Sequence, residues 1–332
     1  MDFVGTTERL QETVNGIARA AEILRQGGTV ALPTETVYGL GANALDPKAV
    51  ARIFTAKERP GWDPLIVHVA DEAMLRLVVR EIPPAALRLM KAFWPGPLTL
   101  LLPKSDAIPD LVTAGRSLVG VRMPRHPVML QVIREAGVPL AAPSANRFGR
   151  TSPTSAAHVL EDLDGRIDAV LDGGATEVGV ESTVVDPCQS PMVVYRPGAV
   201  TLQMLEETAG PAVPYEPPSM IQSPASLPSP GVGIRHYAPR ARVVLVRDQA
   251  ELQEMVSSLK PERTGVLLPT GWASEGQTFD WGSTPEEMAH RLFAGLRDLD
   301  ARGVTSIVCP LPPEQGVGAA LLDRLRKAAR VS

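Results

Sequence analysis

Residues 210 to 233, "GPAVPYEPPSMIQSPASLPSPGVG", carry no hydrophobic period and are dominated by proline, serine and glycine. Proline fixes its own φ and has no N–H to donate, so this stretch suits neither a helix interior nor a central strand. The chain is therefore expected to fold as two units joined by a semi-extended connector. The expected bounds are 1–207 for the first unit, 208–240 for the connector and 241–332 for the second. With 332 residues, 44% of them hydrophobic, there is enough apolar surface for two cores.

Before the connector, helical periods alternate with short apolar runs. The stretch "ERLQETVNGIARAAEILRQGG" has apolar residues at three-to-four spacing and ends in glycines, which predicts a capped helix followed by the strand "TVALP". Asp46 and Pro47 predict the N-cap and first position of a helix over "DPKAVARIFTAKE". Further strands are expected in "PLIVHVA", "LTLLLPK", "SLVGVRMP", "VPLAAPSAN", "DAVLDGG", "STVVDP" and "MVVYRPG", giving a mixed α/β sheet. After the connector the order is strand, helix, strand, helix, strand, helix, which indicates a small parallel three-layer, Rossmann-like unit. No internal repeat is present.

Charge and cysteine content narrow the function. A formal net charge of −4 argues against a protein that grips nucleic acid through a basic face. The two cysteines, Cys188 and Cys309, lie far apart and lack metal-ligand spacing, so they read as structural thiols in a reducing compartment. The first residues show no basic-then-apolar signal pattern, and no apolar run reaches the ~18 residues of a membrane span. A cytoplasmic protein without membrane contact is expected.

Several polar residues stand where apolar ones would be cheaper to bury. "LPTETVYGLG", residues 32 to 41, runs a strand into Thr34, Glu35 and Thr36, at a sheet end where ligands often bind. It lacks the spacing of a Walker A loop, and a hydroxyl-rich turn is an equal alternative. Lys57 and Arg59 end the next helix, where the dipole alone would favour cations, but Asp63 follows closely and His68 sits within an apolar strand. Arg122 in "VGVRMP" needs an anionic partner, either a structural carboxylate or a bound one. Ser144, Asn146 and Ser152, beside Arg147 and Arg150, suit phosphate or ribose contacts, and "GVEST" and "YRPG" contribute Ser182, Thr183 and Arg196.

Taken in order, "PTETVYGLG", "KER", "PLIVHV", "WPGPLT", "VRMPRHP", "APSAN", "GVEST" and "RPG" resemble the YrdC-like threonylcarbamoyl-AMP synthases. "SPGVGIRHYAPRA" with a second α/β unit resembles the longer, two-domain branch. The resemblance implies conversion of L-threonine, bicarbonate and ATP to threonylcarbamoyl-AMP and pyrophosphate. The product would pass to separate transferase proteins that modify the adenosine beside the tRNA anticodon.

By motif position the resemblance assigns Thr36, His68, Arg122, the backbone at Ala142, and Ser182 to threonine. It assigns Arg59, Asp63, the backbone at Leu118, Ser144, Asn146, Ser152 and Arg196 to ATP. Lys57 and Arg59 would be catalytic cations, a phosphate clamp in place of a P-loop. Mg2+ is implied by ATP chemistry, and with no carboxylate cage visible the phosphates and water would supply most of its ligands. In relatives the connector forms a lid; Ile234 and Gly233 depart from the family's tyrosine and basic residue, leaving Arg235 and His236 as the candidates for touching ATP. Rival readings are a double-stranded RNA-binding module and a carbamoyl-transfer domain of hydrogenase maturation. The first expects a basic surface and the second expects zinc-finger cysteines. A glycine-rich helix start in "GVGAALLDRLRKAA" hints weakly at a nucleotide site, and Asp323, where relatives carry asparagine, speaks against it.

Overall fold

Thr13 separates what the hydrophobic period joins. The computed structural model describes residues 5–216, 227–229 and 237–330, and in it Glu8–Gln11 is a strand and only Val14–Arg25 a helix. Thr13 is extended and its hydroxyl accepts from the Gly16 amide, capping the helix at its start. The expected longer helix is corrected here because Glu8–Gln11 pairs in parallel with Ala169–Asp172, and sheet pairing overrides the local period. The helix Pro47–Lys57 matches expectation: Asp46 accepts from the Lys48 amide, Pro47 takes the first turn, and Glu58 closes the end at φ 55°.

The strands are β1 (Glu8–Gln11), β2 (Val30–Leu32), β3 (Gly39–Asn43), β4 (Ile66–His68), β5 (Leu98–Pro103), β6 (Leu118–Arg122), β7 (Leu140–Ala141), β8 (Ala169–Asp172), β9 (Thr183–Asp186), β10 (Met192–Arg196), β11 (Ala212–Pro214), β12 (Arg242–Val246), β13 (Thr264–Pro269), β14 (Gln277–Gly282) and β15 (Ser306–Pro310). The first eleven form one mixed sheet in the order β1-β8-β2-β3-β7-β4-β6-β5-β9-β10-β11. β3, within "YGLGAN", has no counterpart among the strands expected from the sequence. β11 comes from the span read as connector and lies parallel to β10, so the first sheet reaches past residue 207.

The remaining four strands are all parallel, in the order β12-β15-β13-β14. On one face, Leu292, Phe293, Leu296 and Leu299 of the helix Pro285–Ala301 pack with Leu321 and Leu325 of the helix Val317–Ala329. On the other, Leu252 and Val256 of the helix Gln249–Leu259 cover Val246, Val266 and Val308. This is the expected three-layer unit with one strand more. β14, "QTFDWG", is an edge strand whose first four residues leave Thr278 and Asp280 exposed, so it lacks an apolar run to announce it. Among the described residues no helix is long and apolar enough to cross a membrane.

The two units touch closely. Val37, Val178 and Val180 of the first belong to the apolar cluster of the second. Arg297 reaches from the second unit to the carbonyl of Thr151 at 2.6 Å and the carboxylate of Asp162 at 2.6 Å.

Candidate active site

Four stretches of the first sheet converge on one cavity: the turn after β2, the paired ends of β4 and β6, the loop after β7, and the segment from Glu181 to Arg196. Its lining includes Thr36, Arg59, His68, Arg122, Ala142, Ser144, Glu181, Ser182, Arg196 and Tyr237. Eight of these are residues that the sequence motifs single out.

The turn after β2 is built by Thr34. Its hydroxyl accepts from the amides of Thr36 and Val37 and donates to the Val37 carbonyl, which sets Thr36 facing Arg122. Arg122 Nη1 donates to Thr36 Oγ1 at 2.9 Å and its Nε to the Gly96 carbonyl at 3.2 Å. Its Nη2 lies 2.7 Å from Glu35 Oε1, an ion pair that meets off the line of a hydrogen bond. Burial raises the Glu35 carboxyl, but the positive charge of Arg122 beside it outweighs this and holds the group below its ordinary range. The buried arginine thus has a structural carboxylate and also faces the cavity.

His68 stands opposite Arg122 in the β4–β6 register. Burial, with Arg122 adding to it, pushes its pKa down to about 3, so the imidazole is neutral at physiological pH. Nδ1 of this ring has no hydrogen-bond partner among the described residues. A neutral imidazole with an unsatisfied nitrogen in a cavity can take a hydrogen bond from a ligand.

On the other side are the cations. Arg59, 8% exposed, donates to the carbonyls of Asp63 and Pro64 and pairs with Asp63 Oδ2 at 2.9 Å. Burial lowers the affinity of Arg59 for its proton and raises the Asp63 carboxyl, each opposed by the other's charge. Arg196 donates through Nε to the Ser182 carbonyl at 2.9 Å and through Nη2 to Ser182 Oγ at 3.1 Å. The turn that follows needs Gly198, because a Cβ there would lie 2.4 Å from the Thr183 nitrogen.

Five expected site residues do not line the cavity. Lys57 is buried and its ammonium donates to the carbonyls of Ser144 and Asn146, which holds the loop after β7 in place. Burial, with Arg59 nearby, depresses its pKa strongly. Asn146 donates to the carbonyls of Arg147 and Arg150 and shapes the same loop. Asp63 backs Arg59, and Leu118 begins β6 beside an apolar cluster. Ser152 reaches the site through Glu181, to which its hydroxyl donates. Arg235 and His236, with Gly233 and Ile234, lie outside the described residues.

Glu35 and Glu181 carry no assignment from the sequence. Each sits inside a quoted motif beside an assigned residue, and the rule that a buried arginine requires an anion was the available signal. Tyr237, the residue after Arg235 and His236 in the connector, lines the cavity and is 1% exposed, at φ 64°. The cysteines are free and neither borders the site.

Comparison with known proteins places the chain in a family. A family model for the Sua5/YciO/YrdC domain, described as telomere recombination, matches residues 22–198, and a second, described as the C-terminal domain of threonylcarbamoyl-AMP synthase, matches residues 200–330. Threonylcarbamoyl-AMP synthase of Pyrococcus abyssi is 45% identical over 98% of this chain and 97% of its own length, and that of Bacillus subtilis is 43% identical over 98% and 96%. A shorter synthase from Halorhodospira halophila is 38% identical over 47% of this chain and 82% of its own length. The structure of P. abyssi Sua5 complexed with L-threonine superposes with a TM-score of 0.90 at 43% identity, covering 98% of both chains. The chain belongs to the threonylcarbamoyl-AMP synthase family.

Proposed function

We propose that the cavity joins L-threonine, bicarbonate and ATP into threonylcarbamoyl-AMP, with release of pyrophosphate and water. The observation that carries this reading is the division of the cavity wall. Arg59 and Arg196 supply buried positive charge on one side, while Thr36, His68 and Arg122 supply a small polar pocket with one cation on the other. A triphosphate fits the first side and an amino acid the second.

The chemistry follows from positions. The threonine amine adds to bicarbonate and loses water to give a carbamate; one carbamate oxygen then attacks the α-phosphorus. The bond from that phosphorus to the β-bridging oxygen breaks, and pyrophosphate leaves with the electron pair. No side-chain nucleophile takes part, so the protein contributes alignment and charge. Arg122 would hold the threonine carboxylate, and neutral His68 would accept a hydrogen bond near the amine. Arg59 and Arg196 would stabilise charge on the phosphates. Lys57 would act through the loop it holds, and Ser144, at the cavity edge, would face the nucleotide.

Magnesium would arrive on the triphosphate. Among the described residues no group of three histidine, cysteine or acidic side chains could hold a metal, and Glu35, Asp63 and Glu181 are each paired with an arginine. The same reading places the protein in the cytoplasm and hands its product to separate tRNA-modifying transferases. RNA binding as the main function has no support: the polar groups converge inside a cavity and not on an open basic face.

Incubation with 13C-bicarbonate, threonine and ATP tests the reading by mass spectrometry. The expected product is an adenylate that contains threonine and one 13C atom. An unlabelled adenylate, or no threonine adduct, would contradict it.

A further inference from the structure

The second unit sends one arginine into the wall of the cavity. Arg324, on the helix Val317–Ala329, has no exposed surface. Its Nε donates to Glu181 Oε2 at 2.8 Å, its Nη2 points to the Glu181 carbonyl at 3.4 Å, and its guanidinium lies 5.2 Å from the centre of the Tyr237 ring. Glu181 and Tyr237 both line the cavity. The other oxygen of Glu181 accepts from Ser152. Nη1 pairs with Asp323 at 2.7 Å, and Asp323 also pairs with Lys327 at 2.7 Å, so Arg324 is braced from its own helix. Burial opposes the charge on Arg324, yet Tyr237, Glu181 and Asp323 together hold its proton more tightly than usual.

The loop carrying Glu181 cannot be placed independently of the second unit. Gly179, at φ 78°, approaches the helix Pro285–Ala301 so closely that a Cβ would lie 2.4 Å from the Ala289 carbonyl oxygen. Val178 and Val180 pack into the second unit's apolar cluster. Glu181 is 6% exposed and is followed directly by Ser182, whose carbonyl and hydroxyl orient Arg196. A buried carboxylate left unpaired at this point would repel a polyphosphate and pull Arg196 toward itself.

We propose that Arg324 is a positioning residue for nucleotide binding: by pairing with Glu181 it cancels an acidic charge that lines the phosphate-facing wall and leaves Arg196 to the ligand. This rests on the reading of that wall as the ATP side. It gives the second unit a part in the site, although a shorter relative of the family matches less than half of this chain.

Calorimetry with Mg-ATP and steady-state pyrophosphate release, both on the full chain, test it. Arg324→Gln is expected to raise the Kd and KM for ATP by about tenfold or more, with kcat changed by less than about threefold. Adding Glu181→Gln in the same chain is expected to return both constants to within about threefold of the wild type, because the offending charge is gone. Arg326→Ala, on the exposed side of the same helix and 3.5 Å from Glu314, should change neither. A folded Arg324→Gln variant with unchanged ATP affinity, or a double variant as impaired as the single one, would overturn the proposal. If Arg324→Gln does not fold, the double variant decides alone: wild-type ATP affinity supports the charge account, and failure to fold shows an arginine needed only for packing. Wild-type protein that binds ATP but makes no threonine adduct would sink the functional reading and leave this one standing.

Discussion

The two units bury charge very differently. In the first, Glu35, Lys57, Arg59, Asp63, His68, Arg122, Glu181 and Arg196 are all buried at or behind the cavity wall. In the second, the buried charged residues among those described are Arg324 and Lys327, both on a helix that faces the first unit. A core of Leu, Val and Phe holds four strands and three helices together without internal ions, so the fold itself does not demand them. Buried charge follows the site more than the architecture; Asp186, which accepts from the Cys188 amide and the Gln189 side chain, is a buried charge away from the cavity.

Arg59→Ala should break the first unit's side of this contrast most severely. Pyrophosphate release is expected to fall by about 100-fold or more, since a buried cation facing the phosphates has no substitute. Stability should fall too, by roughly 3–5 kcal/mol, because Asp63 is left as an uncompensated buried carboxylate. Combining it with Asp63→Asn should restore much of the denaturation midpoint but none of the activity. Recovery of both would mean that the pair serves folding alone.

Arg122→Gln comes next. Removing one partner of a buried, hydrogen-bonded charge pair costs about 2–5 kcal/mol in comparable sites, so calorimetry should show threonine affinity reduced by about 30-fold or more. Unchanged threonine affinity would assign Arg122 to Glu35 alone.

His68 offers a test by pH. Its pKa lies at about 3 in the folded chain against an ordinary 6.5, so the unfolded state binds the proton first as pH falls. Its contribution is fully present above pH 6.5 and is lost progressively between there and pH 3. The wild type should therefore lose roughly 2 kcal/mol more than His68→Gln between pH 7 and pH 5 in urea denaturation. Parallel losses in the two proteins would show that His68 is not held neutral.

The smallest effect is on substrate choice. Serine lacks only a methyl group, worth about 1–3 kcal/mol in an apolar contact, so it should be a poor but measurable substrate. Discrimination beyond about 1000-fold would require a more specific feature than this pocket displays.

What the sequence revealed follows the same division. Asp46, Pro47 and the apolar runs of β5, β6 and β12 act locally, so their elements are readable in order. β1 and β11 exist because distant strands pair with them, and β14 because an edge needs only half a hydrophobic pattern. Thr36, His68, Arg122, Ser182 and Arg196 were legible because each sits in a motif with a polar role. Glu35 and Glu181 were not, because their partners Arg122 and Arg324 lie 87 and 143 positions away in the chain. Lys57 shows the reverse case: a cation in the expected place that does not line the cavity and donates to two backbone carbonyls of the neighbouring loop.

Pyrophosphate release from ATP with threonine and bicarbonate supplied together, singly or not at all tests the central claim most directly, namely that the charge buried in the first unit serves to align three reactants. Release is expected with all three present and should fall to background when either threonine or bicarbonate is withheld. Release at the full rate without threonine, or in bicarbonate-depleted buffer, would contradict it.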